Sequence, residues 1–169
     1  MWIPASMLAA ASLAVTPSPT SFAGRILGLH NQYRLLVGAP PLRWSGTLAA
    51  SASRYGPALA AAGRLVHSPR EGRPGQSENL WMGTRGVFRV EAMVEDWASE
   101  RRMFSPGRFP GVSRTGDWQD VSHYTVMIWP TVTEVGCALH SAGGFDYLIC
   151  RYSPRGNMDG RLVGVAGAR

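Results

Sequence analysis

Apolar positions along the chain predict three helices followed by a pair of strands. Ile26, Leu29, His30, Tyr33 and Val37 recur at the three-and-four spacing of one helical face, and Gly38-Ala39-Pro40-Pro41 ends that pattern. A second face is written by Leu48, Ala49, Ala52, Tyr55 and Leu59, with Ser45 suited to cap its start and Gly63 to terminate it. Gly56-Pro57 falls inside this stretch, where a missing amide and a crowded preceding turn predict a kink or a split. Val90, Met93, Val94, Trp97 and Phe104 mark a third helix, with Glu100 one turn beyond Asp96.

Between the second and third helices, His67 to Gly75 has the Ser, Pro, Arg and Gly content of a loop, and Asn79 to Met82 predicts a short strand before Gly83. Ser105 to Gln119 is also irregular. It is rich in Pro, Gly, Arg and Ser, carries Phe109 and Trp118, and is long enough to act as a binding loop. Val135–His140 and Phe145–Tyr152 then read as two strands joined as a hairpin around Ala142-Gly143-Gly144. Helices first and strands last predict a segregated α+β fold.

Length and composition fit one domain with a real core: 169 residues, 45% of them apolar. Met1 to Ala23 contains no charged residue, and an apolar run from Met7 to Val15 is followed by Thr-Pro-Ser-Pro and Ser21-Phe22-Ala23. This is the outline of a secretory leader over residues 1–23, although no basic residue precedes the run. The run is far shorter than the roughly 20 residues of a spanning helix, so no transmembrane anchor is expected. A domain over 24–162, a tail over 163–169 and a secreted, extracellular or periplasmic product follow. Cys137 and Cys150 would suit one bridge in such a compartment, or two buried thiols packed as small apolar groups.

The net charge of +6 comes from seventeen arginines and no lysine, spread along the chain with Arg101-Arg102 the single adjacent pair. A nucleic-acid binder would concentrate basic residues with aromatic ones on one element, so that class is not expected. Attraction to anionic surfaces is compatible with the excess.

No HExxH, P-loop, CxxC or GxSxG motif assigns an enzyme class. Of the four histidines, His30 lies on the apolar helical face and reads as bonded to nearby backbone, while His140 ends a strand and reads as a surface residue. His67 and His123 stand at junctions of loops with regular elements, where distant segments converge. If Glu78 and Glu100 join them, two imidazoles and two carboxylates form a set suited to zinc or another divalent ion, with His67 and His123 as ligands. The same four also suit metal-free His–Glu pairs.

These residues sit in segments that resemble the CAP superfamily of cysteine-rich secretory proteins, antigen-five allergens and pathogenesis-related proteins. Leu29-His30-Asn31 with Arg34, and Pro41-Leu42-Arg43-Trp44, resemble the family's opening helix and its Pro-Leu-x-Trp. His67-Ser68, Ser77-Glu78-Asn79-Leu80 and Trp97-Ala98-Ser99-Glu100 resemble the segments that carry three members of its His/Glu tetrad, and His123-Tyr124-Thr125 supplies the fourth. Val135-Gly136-Cys137-Ala138 resembles the next strand, and Cys150-Arg151-Tyr152-Ser153-Pro154-Arg155-Gly156-Asn157 fits the Cys-x-Tyr-x-Pro-x-Gly-Asn signature. Ser77 replaces the usual glycine, and Val126 the usual glutamine after Thr125.

The resemblance spans Ile26 to Met158 and implies a three-layer α-β-α sandwich, with a small antiparallel sheet between helices and the tetrad in a surface groove. Three functional readings follow. The first is a secreted module whose cleft of His67, Glu78, Glu100 and His123 binds a divalent ion, a small apolar ligand such as a lipid or sterol, or both. The second is a metal-assisted peptide or ester hydrolase with Glu78 or Glu100 as general base. The third is an extracellular interaction module in which the tetrad is a structural clasp.

Overall fold

The computed structural model describes residues 16–164. The apolar run of the expected leader, and residues 165–169 of the expected tail, lie outside them. Helix α1 spans Phe22–Leu36, capped by the Ser21 hydroxyl, which accepts from the Gly24 amide. The expected leader boundary at Ala23 therefore falls inside α1, whose Phe22 packs edge-on against Trp44.

Helix α2 spans Gly46–Ala62 between the Ser45 cap and Gly63, which takes the left-handed conformation that glycine adopts without strain. Contrary to the expected split, α2 is one continuous helix with Pro57 inside it. Both Pro57 and Ser53, whose carbonyl loses its helical donor, are exposed, so water can satisfy that carbonyl. Gly56 faces inward, and a Cβ built there would come within 2.7 Å of the His140 ring. His140 is accordingly half-buried against α2 rather than a free surface residue.

Strands β1 (Arg43–Trp44), β2 (Ser77–Thr84), β4 (Glu134–Ala142) and β5 (Phe145–Ser153) form a sheet in the order β1-β4-β5-β2. Its hydrogen bonding is antiparallel except at the edge, where the two residues of β1 run parallel to β4. Gly143 and Gly144, at φ 57° and 83°, make the two-residue turn of the β4–β5 hairpin. Cys137 and Cys150 are direct cross-strand partners and form a disulfide.

The central strand β5 is buried on both faces, and its alternation separates two cores. Tyr147 and Ile149 join Leu80, Ala52 and Leu59 beneath α2. Leu148, Cys150 and Tyr152 join the larger core with α1, α3 (Val90–Ser99) and α4 (Ser122–Met127). The result is the expected three-layer sandwich. Between α3 and α4 a 3-10 turn over Glu100–Arg102 precedes the long loop, which contains β3 (Gly107–Arg108) and a second 3-10 turn over Trp118–Val121. β3 pairs with β6 (Leu162–Val163), so Val163, expected to open the tail, is a buried strand residue.

Candidate functional site

Glu78 lies on β2 directly across from Arg151 of β5, on the side of the sheet covered by α2. Its side chain is fully buried and receives a set of donors from the α2–β2 loop. Nδ1 of His67 donates to Oε1 at 2.8 Å, the Ser68 amide to the same oxygen at 3.0 Å, and the Ser68 hydroxyl to Oε2 at 2.8 Å. The Arg151 guanidinium lies 3.2 Å from Oε2, with Arg73 at 3.8 Å from Oε1. Burial alone would raise the Glu78 carboxyl, but the bonds from His67 and Ser68 and the charge of Arg151 outweigh it and hold the group below its ordinary value.

The second pair is built in the opposite layer. Glu100 opens the 3-10 turn after α3, and its Oε2 accepts the amides of His123 and Tyr124, both at 2.9 Å, at the start of α4. Oε1 accepts from Nδ1 of His123 at 2.6 Å, and the His123 ring is stacked on Trp97 with planes 12° apart. The short helix is held at its other end by the fully buried Arg34, which donates to the carbonyls of Met127, Trp129 and Val132 at 2.9 to 3.0 Å and to Pro40 at 2.6 Å. A carboxylate at the start and a guanidinium at the end complement the dipole of α4 and fix where it presents His123.

His67, Glu78 and His123 line one open cleft of about 1100 Å³. Glu100 stands behind His123 rather than in the cleft wall. Because a carboxylate can only accept here, each neutral imidazole carries its proton on Nδ1 and its lone pair on Nε2. Neither Nε2 has a hydrogen-bond partner among the described residues, and His67 remains 55% exposed against 32% for His123. Both carboxylates face away from this role, being occupied as acceptors. No three His, Cys, Asp or Glu side chains among the described residues gather as a ligand set.

The amide of Asn79 ties the two layers together, donating to the His123 carbonyl at 3.1 Å and to the Tyr152 hydroxyl at 3.2 Å. The signature after β5 forms a strap beside the cleft. Ser77, where a glycine was expected, accepts from the Gly156 amide at 2.9 Å, and Asn157 accepts from Thr125 and donates to the Ser122 carbonyl. Val126, in place of the expected glutamine, is buried and contributes an apolar patch to the cleft.

Sequence reasoning missed Ser68, Arg73 and Arg151 as partners of Glu78. The alternation of β5 carried the signal for one of them, since Arg151 must face away from Cys150 and Tyr152. It also missed Arg70, Arg155 and Arg161 in the cleft wall. Of the two aromatics in the long loop, Phe109 is buried between Trp118 and Trp129, whereas Trp118 is partly exposed at the cleft.

Comparison with known proteins agrees with this architecture. Pathogenesis-related protein 1C of Nicotiana tabacum is 34% identical over 136 residues, covering 80% of this chain and 76% of the relative. Golgi-associated plant pathogenesis-related protein 1 of Homo sapiens is 32% identical over 138 residues, with 81% and 85% covered. Among solved structures, BmVAL-1 superposes with a TM-score of 0.70 at 26% identity, over 86% of this chain and 82% of that one. The crystal structure of NaASP2 with Zn2+ gives 0.70 at 21% identity over 88% of both chains, a likeness of fold. Residues 27–152 match the CAP family, described as the cysteine-rich secretory protein family, and this chain belongs to it.

Proposed function

We propose that this protein is an exported CAP module whose cleft binds a divalent cation, zinc first among them, through Nε2 of His67 and of His123. One observation carries the reading: each imidazole spends Nδ1 on a fixed carboxylate and keeps Nε2 unbonded at the same cleft. That is the arrangement in which an outer carboxylate orients a metal-binding histidine and raises its basicity. Glu78 and Glu100 then act as orienting groups, not as ligands. With two protein ligands the ion would complete its shell with water, and the ion would supply Lewis acidity to whatever shares the cleft.

Pro110, Trp118, Val126 and Met158 form an apolar part of the wall, which supports an organic ligand beside the ion. The geometry gives the hydrolase alternative less support, because neither carboxylate has a free oxygen aimed at the cleft to act as base. Export is supported by the uncharged apolar N-terminal run, by the disulfide, and by the family's description as secretory. One relative is named as Golgi-associated, so the proposal reaches as far as the secretory route. No helix among the described residues is long and apolar enough to cross a membrane.

Zinc titration of the purified protein by calorimetry tests the metal reading. Uptake at neutral pH, lost in the His67→Ala/His123→Ala double variant and reversed by a chelator, is the expected result. Absence of uptake, or uptake unchanged in the double variant, rejects it. An intact mass of the exported product reads leader removal and the disulfide together.

A further inference from the structure

The cleft is cationic in a way that neither histidine explains. Four of its wall residues are arginines, of which Arg73 is consumed by Ser68, Gln76 and Glu78. Arg70, Arg155 and Arg161 are exposed, and none of the three has a hydrogen-bond acceptor or ion-pair partner for its side chain among the described residues. Glu78 is enclosed by its own donors, which leaves Asp159 as the carboxylate on this rim. Three free guanidiniums against one carboxylate, in a cleft open to solvent, attract an anion carrying more than one charge.

The backbone beneath these side chains is pinned. Arg155 lies beside Gly156, which Ser77 holds to β2, and Asn157 is bonded to both ends of the Ser122–Thr125 turn. The Arg161 carbonyl accepts from the Phe109 amide next to the β3–β6 pair. Arg70 opens a 3-10 turn in the α2–β2 loop, a separate segment of the wall. Trp118 presents a partly exposed indole to the same space and is backed edge-on by Phe109. The apolar wall residues share this open cleft with four arginines, which suits a polar anionic ligand better than an acyl chain. Cations carried on two segments of the wall, with an exposed indole in the same cleft, fit a ligand whose charges are spaced along a polar, flat-faced chain.

We infer that the organic ligand of this cleft is an acidic oligosaccharide, its carboxylate or sulfate groups taken by Arg70, Arg155 and Arg161 and one sugar face laid on Trp118. This rests on the proposed use of the same cleft for binding, and deepens it by naming the ligand class.

The test uses the whole protein and three octasaccharide probes, namely a heparin-derived one, an oligogalacturonate and neutral maltooctaose, titrated with chelator present. The cleft triple Arg70→Ala/Arg155→Ala/Arg161→Ala is compared with a charge-matched triple at exposed arginines outside the cleft, Arg54→Ala/Arg64→Ala/Arg85→Ala. At about fivefold per rim arginine, the cleft triple should weaken acidic-probe binding about a hundredfold, with the control triple within about threefold of wild type. Trp118→Ala should cost roughly a further tenfold. Equal losses in the two triples, or maltooctaose binding as well as the acidic probes, would overturn the inference. So would at least tenfold preference for phosphatidylserine vesicles or single-stranded DNA over either acidic probe. Wild-type protein that takes up no zinc yet binds the acidic probes leaves this inference standing and rejects only the metal reading, and the His67→Ala/His123→Ala variant should keep saccharide binding whatever its zinc uptake.

Discussion

The Tyr152 hydroxyl donates to Nε2 of His30 across 2.8 Å inside the larger core. The direction is fixed by the other ring nitrogen, since Nδ1 faces the Ile26 carbonyl at 2.8 Å and must carry the proton. The same hydroxyl accepts from Asn79, whose amide also holds the His123 carbonyl. A relay of oriented bonds thus runs from the first helix to the backbone of the cleft. It depends on His30 remaining uncharged.

Acid should break that relay. Burial, opposed by the Ile26 carbonyl and aided by the Arg34 charge, lowers His30 to about 4, against roughly 6.5 in an unfolded chain. Between these values the unfolded chain binds a proton that the folded one refuses, so stability falls as pH drops from about 6.5 to about 4 and levels off below. The loss is on the order of 3 kcal/mol. Urea denaturation across this range should show it, and a His30→Gln variant should be less stable at pH 7 but lack that segment of the profile. Glu78, held low, adds its own loss only as pH falls below the ordinary carboxylate range.

Glu78 and His67 are bonded to each other, yet their removal should have unequal costs. Glu78→Ala strands the buried guanidinium of Arg151, two of whose nitrogens already lack hydrogen-bond partners, and should cost about 3–5 kcal/mol. His67→Ala removes a half-exposed ring whose partner keeps its other donors, and should cost about 1 kcal/mol or less. Thermal denaturation without metal measures both, and equal costs would contradict this account of the pair.

Ser77→Gly, which restores the residue expected from the family resemblance, should release the strap. Losing the bond to the Gly156 amide should cost about 1 kcal/mol, with glycine's extra freedom in a strand adding several tenths. Amide hydrogen exchange at Gly156 should accelerate while exchange in the middle of β5 stays slow.

Gly136 should tolerate no side chain. A Cβ there would stand 2.3 Å from the Ser45 carbonyl oxygen and 2.4 Å from the Ala49 amide nitrogen, so α2 itself would have to move. Gly136→Ala should cost about 1–3 kcal/mol or more. Gly46→Ala, in the first turn of the same helix with open space around it, should be neutral or stabilising by up to about 1 kcal/mol. Paired melting curves read the contrast.

Much of this arrangement was legible before any coordinates. The period of Val90, Met93, Val94 and Trp97 marks the buried face of α3, and the separated motifs place His67, Glu78 and His123 around one cleft. Long-range hydrogen bonding was not legible. Nothing in the spacing says that Glu100 serves the amides of α4 while Arg34 serves its carbonyls, because both contacts join segments far apart in sequence. The continuity of α2 escaped for another reason: the cost of Pro57 depends on whether the freed carbonyl meets solvent, which is a property of the packed structure. The β3–β6 pair has two residues in each strand, too few to carry a period.

His67 and Glu78 travel with the α2 side of the sheet, and His123 and Glu100 with the side of α3 and α4. Each pair is rigid within its own layer, so a slide of one layer over the other would change the gap between the imidazoles while leaving both pairs intact. The gap between the rings therefore also depends on contacts away from the cleft. Close contacts such as Gly136 against Ser45, and Gly56 against His140, fix where α2 rests on the sheet, so substitutions there would shift the loop that carries His67 without altering any residue of the cleft.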